Sequence, residues 1–128
     1  MDQISQDHVE TAEENDRLAR SLLAPAMAEG LPRPPCEWAT VIGFYAAVHY
    51  VNAYLWERHG IAPRDHTERA YHVRHDRILR RCALAYARLA DAGYKSRYIP
   101  RFRIAPARAY QLVHVDLANV WSVVLAAM

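Results

Sequence analysis

The chain has 128 residues, 52% hydrophobic and 23% charged, which excludes a disordered or low-complexity polypeptide and fits one domain. Sixteen Lys+Arg against fourteen Asp+Glu leave a formal charge of +2, so the total says almost nothing about partners. No run of eighteen uncharged apolar residues exists and the N-terminal stretch is acidic, which argues against a membrane span or secretory signal and for a cytoplasmic location. Cys36 and Cys82 stand at no metal-type spacing and are expected as reduced thiols.

The predicted elements are all helical. The first helix is expected from about Gln6 to Glu29, with Val9, Ala12, Leu18, Leu22 and Leu23 as its apolar positions and Pro25 kinking or ending it. Three prolines between Leu31 and Pro35 mark a connector. The second helix is expected over Glu37 to His59 and closes at Gly60, a good C-cap residue. Its apolar residues, among them Trp38, Val41, Phe44, Val48 and Leu55, point in every direction, which predicts a central, buried helix.

After the turn Ile61–Arg64, Asp65 with Glu68 forms a capping-box-like start for a third helix ending at Gly93. Tyr71, Ile78, Cys82, Ala85 and Leu89 give it one apolar stripe. A loop rich in Arg and aromatic residues follows from Tyr94 to Ala105. Pro106 then takes a favoured first-turn position of the last helix, which carries Leu112, Val113, Leu117, Val120, Trp121 and Val124. Short connectors between long amphipathic helices predict an all-α, up-and-down bundle of four to five helices: an acidic first helix, 6–29, and a core over 37–128.

Charge is segregated along this plan. Residues 1–30 carry seven acids and two bases, whereas residues 58–103 carry twelve bases and four acids. On a continuous third helix, Arg69, Arg74, Arg77, Arg80, Arg81 and Arg88 fall within about 140° of one another, opposite the apolar stripe. Followed by Lys95, Arg97, Tyr98, Arg101, Phe102 and Arg103, such a stripe suits phosphate neutralisation and base stacking. The structural alternative is a solvated face partly paired with the acidic first helix. A DNA-binding helix-turn-helix fits less well, because the third helix is far longer than a recognition helix and Pro63 interrupts the preceding turn.

Seven histidines invite a metal search, yet no HExxH and no Cys/His finger spacing occurs, so neither metal nor cofactor is expected. His49, one turn after Tyr45 inside the most buried helix, either hydrogen-bonds a neighbour for structural reasons or forms a polar pocket with Tyr45, His66 and Arg69. Two Arg–His pairs have five intervening residues: Arg108/His114, and Arg69/His75 in reserve, with His75 placed on the apolar side of its helix. Metal-independent RNA cleavage needs a base for the ribose 2′-OH, an acid for the leaving oxygen and a cation on the phosphate. His and Arg suit those roles, and two copies across a dimer axis would supply both proton-transfer groups.

The run from Trp38 to His49, continued through Ala53, Leu55, Gly60-Ile61, Pro63, His66 and Arg69, resembles small members of the HEPN superfamily with a Tyr-Ala-x-x-His helix, a Gly-Ile-x-Pro turn and a following His. Arg97-Tyr98 before the last helix is similar as well. The resemblance implies a helical bundle that often dimerises and a role in RNA metabolism, toxin–antitoxin pairs or defence. It also places an Arg–His pair of ribonuclease members in the last helix, where Arg108 and His114 stand. Ala109 and Ala70 replace the polar residue that customarily follows the Arg.

Two functional expectations result. The first is an RNA-acting protein, in its catalytic form a metal-independent endoribonuclease, with Arg108 on the phosphate, His114 transferring protons, and Arg77, Arg80, Arg81, Arg88, Arg97, Arg101 and Arg103 holding RNA. The second is a non-catalytic module that forms a homodimer or partners a small nucleotidyltransferase.

Overall fold

The computed structural model describes residues 1–128. Asp2 starts the first helix by accepting the Ile4 amide on its carboxylate at 2.8 Å. That cap sets α1 at Gln3–Leu22, earlier at both ends than the expected 6–29. Ala24, which precedes Pro25, is extended at φ −67 and ψ 143, as a residue before proline prefers, and only a single 3₁₀ turn, Pro25–Ala28, follows. The buried face of α1 matches the expected positions only in part, with Ala12 buried and Leu23 packed against the core. Ser5, Ala12, Asp16 and Ala19 turn inward, while Leu18 is 47% exposed.

Small residues are needed there because α2, Cys36–His59, lies close against α1. The two run antiparallel: Asp2 meets Glu57 and Trp56, His8 meets His49, and a Cβ on Gly43 would lie 3.9 Å from Ala19 and 3.4 Å from Val113. α2 is central, as its all-round apolar pattern predicts, with fourteen of its residues buried. Gly60 closes it in the left-handed conformation at φ 65. Within this contact Tyr50 is 1% exposed, donates to Asp16 at 3.0 Å and stacks on Trp121 at 4.5 Å.

The expected continuous third helix is broken. α3 spans His66–His75 and is capped by Asp65, whose side chain accepts the Glu68 amide at 2.8 Å. The chain then leaves helical geometry at Asp76 (ψ 134). The Asp76 carboxylate accepts the amides of Ile78 and Leu79 at 2.9 and 3.0 Å, which redirects the backbone into the 3₁₀ turn Leu79–Cys82. α4 follows as Ala83–Tyr98. It runs through Gly93, whose absent side chain serves packing: a Cβ there would stand 3.2 Å from Phe44. The connecting loop is therefore 99–105, not 94–105.

Residues 106–127 form α5, with Pro106 in its first turn as expected. It begins as Pro106–Tyr110, widens into a π-helical segment Gln111–Asp116 and returns to α-helix over Leu117–Ala127. Trp121, Val123, Ala127 and Met128 pack on the core, and Arg58 donates to the Ala127 carbonyl at 3.0 Å, so the last turn is docked within the chain. The result is an all-α bundle in which α1, α4 and α5 pack around α2 and the short α3 links α2 to α4. Leu55, Leu79, Leu89, Leu112 and Leu117 are essentially inaccessible, each contributing about 2 kcal/mol of burial. No helix is long and apolar enough to cross a membrane.

Candidate functional site

Charge segregation survives folding, but not as a helical stripe. With the break at Asp76, the arginines of α3 and α4 no longer share one helix axis, and the acidic α1 does not neutralise them. Asp16 pairs with its own neighbour Arg20, at 2.6 Å, and no ion pair joins α1 to the basic half. Arg88, expected to hold RNA, instead meets both carboxylate oxygens of Asp116 at 3.1 and 3.0 Å. Arg69 is 7% exposed and so leaves the surface altogether. Arg74, Arg77, Arg80, Arg81, Arg101, Arg103 and Arg108 are exposed and pair with no carboxylate.

Two of these arginines, Arg101 and Arg103, converge with aromatic groups. The 99–105 loop is clamped to the first turn of α2 by the Ile104 amide, which donates to Glu37 at 2.7 Å, while Arg33 holds the other carboxylate oxygen. Between loop, α2 and the end of α4 lies a pocket of about 270 Å³ bordered by Trp38, Ser96, Arg97, Tyr98, Arg101 and Arg103. Trp38 is 66% and Tyr98 63% exposed. Ser96 Oγ is buried with no partner. Arg101 sits in the left-handed region at φ 64 without being glycine, a strained conformation that concentrates at functional sites. Arg97 is less free than the sequence suggests. Its guanidinium donates to Tyr45 Oη at 2.6 Å and to the Gly93 carbonyl at 3.1 Å, and lies over the Phe44, Tyr45 and Tyr98 rings.

The expected group of Tyr45, His49, His66 and Arg69 divides into linked pairs. Arg69 donates through Nη1 to His66 Nδ1 at 2.8 Å and through Nε to Asn52 Oδ1 at 2.9 Å. His49 bonds a residue that the sequence did not single out, His8 of α1, Nδ1 to Nδ1 at 2.9 Å. Tyr45 turns to Arg97. His8 and Asn52 are the members missed. Their signal was weak but present: His8 lies on the Ser5–Ala12–Asp16 side of α1, and Asn52 follows His49 by three residues on α2.

The Arg–His pairs are not joined within one chain. Arg108 borders a groove with Leu84, Arg88 and Arg103, and its Nη1 reaches Gln111 at 3.4 Å. His114, within the π-helical segment, accepts from Arg20 of α1 at 2.9 Å and stacks on Tyr110 at 4.2 Å. A guanidinium only donates, so His114 carries its proton on Nε2. In the reserve pair Arg69 is buried, whereas His75 is exposed rather than on the apolar side, donates Nδ1–H to the Tyr71 carbonyl at 2.8 Å and stacks on Tyr71. No group of three or more His, Cys, Asp or Glu side chains is placed to hold a metal ion.

Four of these imidazoles resist protonation. Burial lowers the proton affinity of His8, His49, His66 and His114, with Arg69 adding to the first three and Arg20 to the last. The unfolded chain titrates at the ordinary histidine value, so just below it the unfolded state holds more protons and stability rises with pH. The urea midpoint is expected to be flat above about pH 7.5 and to fall steadily as pH drops through about 6.5 toward 5. A midpoint rising on acidification over that interval would show that the imidazoles gain charge on folding.

Comparison with protein-family models, with curated proteins and with solved structures finds no match.

Proposed function

We propose that this chain is a HEPN-like protein that binds single-stranded RNA through the 99–105 loop and the exposed arginines of the α3–α4 corner. The observation that carries the reading is the loop pocket. Arg101 and Arg103, which pair with no carboxylate, stand beside the exposed rings of Trp38 and Tyr98 and belong to a stretch, 58–103, of twelve bases and four acids. Arginines of this kind release counterions when they meet phosphates, and aromatic faces stack bases without regard to sequence. A merely solvated face needs no exposed tryptophan and no left-handed arginine.

Cleavage by Arg108 and His114 requires two copies, because in one chain the two side chains serve different surfaces. Across a homodimer, Arg108 of one copy would hold the phosphate, and His114 of the other, once released from Arg20 to free Nδ1, would take the 2′-OH proton as that oxygen attacks phosphorus and the leaving 5′-oxygen takes a proton from solvent. The test is a labelled single-stranded RNA incubated in EDTA with wild type and His114→Ala, with binding followed by fluorescence anisotropy. Saturable binding, with cleavage lost in the variant, supports the catalytic form. Equal cleavage by both proteins removes His114 from the reaction, and absence of binding overturns the RNA reading.

The non-catalytic reading, an assembly module for a second copy or a small nucleotidyltransferase, is favoured by one observation. Arg20 and Tyr110 hold His114 against α1, with its Nδ1 already occupied. Saturable RNA binding without any cleavage is its expected signature.

A further inference from the structure

Leu84 is the most exposed large apolar side chain of the molecule, at 75%. It begins a face of α4 on which Leu84, Ala87, Arg88 and Asp91 recur at helical spacing, and that face is one wall of a groove. The opposite wall is the 99–105 loop with the first turn of α5, through Phe102, Arg103, Ala105 and Arg108. Ala92, Ile104 and Leu112, all buried, form the floor. The groove measures about 540 Å³, the largest cavity of the molecule and within the size range of small-ligand sites.

Four charged side chains border it, and two of them are already paired. Arg88 meets both carboxylate oxygens of Asp116, and Asp91 pairs with Lys95 at 3.0 Å. Arg103 and Arg108 have no carboxylate: Arg103 donates to the Phe102 carbonyl at 3.1 Å, and Arg108 reaches Gln111 at 3.4 Å. The free charge at the rim is therefore positive and lies on the side of the loop and α5. Every other lining residue is apolar, with no side-chain hydroxyl, amide or imidazole among them. A sugar or a base edge placed there would lose water without gaining a partner, whereas a hydrocarbon body gains by leaving water. A guanidinium fork matches the two oxygens of a carboxylate.

We infer that this groove binds an amphipathic monocarboxylate of the fatty-acid kind, its chain along Leu84, Phe102 and Leu112 and its carboxylate against Arg103 and Arg108. The groove shares Phe102 and Arg103 with the loop pocket, but the assignment does not rest on the RNA reading and is tested without RNA.

Methyl NMR of the full chain, titrated separately with octanoate, butanoate and octan-1-ol, tests it. Octanoate should shift the Ala87, Ile104 and Leu112 methyl resonances saturably. It should bind at least about tenfold more tightly than butanoate, which lacks most of the chain, and than octan-1-ol, which lacks the charge. Leu84→Glu sets a carboxylate in the groove facing the two arginines. Because Leu84 is exposed, that variant should melt with wild type, yet bind octanoate about tenfold more weakly or worse. Arg103→Gln/Arg108→Gln should weaken octanoate about tenfold and leave octan-1-ol unchanged. Undiminished octanoate binding by either folded variant, octan-1-ol binding as tightly as octanoate, or no saturable shift of these methyls overturns the assignment. RNA binding measured on the same sample separates the two proposals: RNA binding without octanoate binding removes this one and leaves the loop reading standing, and the converse result does the opposite.

Discussion

Replacing Asp76 with alanine is expected to lower the free energy of unfolding by about 3 kcal/mol, the largest effect of any single polar residue in the chain. Its carboxylate accepts four hydrogen bonds: Tyr54 Oη at 2.8 Å, His59 Nε2 at 2.9 Å, and the Ile78 and Leu79 amides. Burial pushes the carboxyl up, but these bonds outweigh it and hold the group below its ordinary range. The stabilisation is therefore complete above the ordinary aspartate value and is lost as pH falls through the depressed one. Truncation also leaves Tyr54, 3% exposed, without its acceptor, and its hydroxyl is already pushed up to about 12. Urea denaturation at pH 7 measures the loss. A change within about 0.5 kcal/mol of wild type would mean that the break between α3 and α4 is imposed elsewhere.

Trp38→Ala is expected to weaken single-stranded RNA binding about tenfold, the effect of one lost base stack. Trp38 lies in the first turn of α2 and is 66% exposed, so its removal opens no cavity and the melting temperature should stay with wild type. Anisotropy with a labelled oligonucleotide gives the affinity. Unchanged affinity would take the ring out of the interface and leave nothing on this surface that prefers single strands to duplexes.

Those two residues mark the limits of what the sequence made legible. The all-α bundle, the central α2, the Gly60 cap and the Pro106 start all followed from periodicity and terminal residues, because each is decided locally. Asp76 was not legible. The apolar repeat of Tyr71, Ile78, Cys82, Ala85 and Leu89 runs on past it, and one carboxylate capturing two amides leaves no periodic trace. Gly93 misled for the opposite reason: a residue that commonly ends helices is here demanded by the Phe44 ring. The small-residue face of α1 was hidden by its larger leucines, although Ser5, Ala12, Asp16 and Ala19 keep helical spacing.

The candidate sites divide in the same way. Arg69 and His66 stand three residues apart on one helix, and their contact was foreseeable. The His8–His49 bond depends on the register of α1 against α2, which no local pattern specifies. Trp38 and the 99–105 loop meet through the Ile104–Glu37 clamp, a long-range contact of the same kind. Arg108 and His114 stand six residues apart, which at about 100° per residue already places them on different sides of a helix, so that they point apart was legible in the spacing.

The salt dependence of single-stranded RNA affinity, compared between wild type and Arg101→Gln/Arg103→Gln, tests the central claim most directly. If both arginines hold phosphates, log K falls linearly with log salt, and the double variant binds more weakly with a slope shallower by about 1.4, roughly 0.7 for each lost contact. Identical slopes and affinities in the two proteins would contradict RNA binding through this loop.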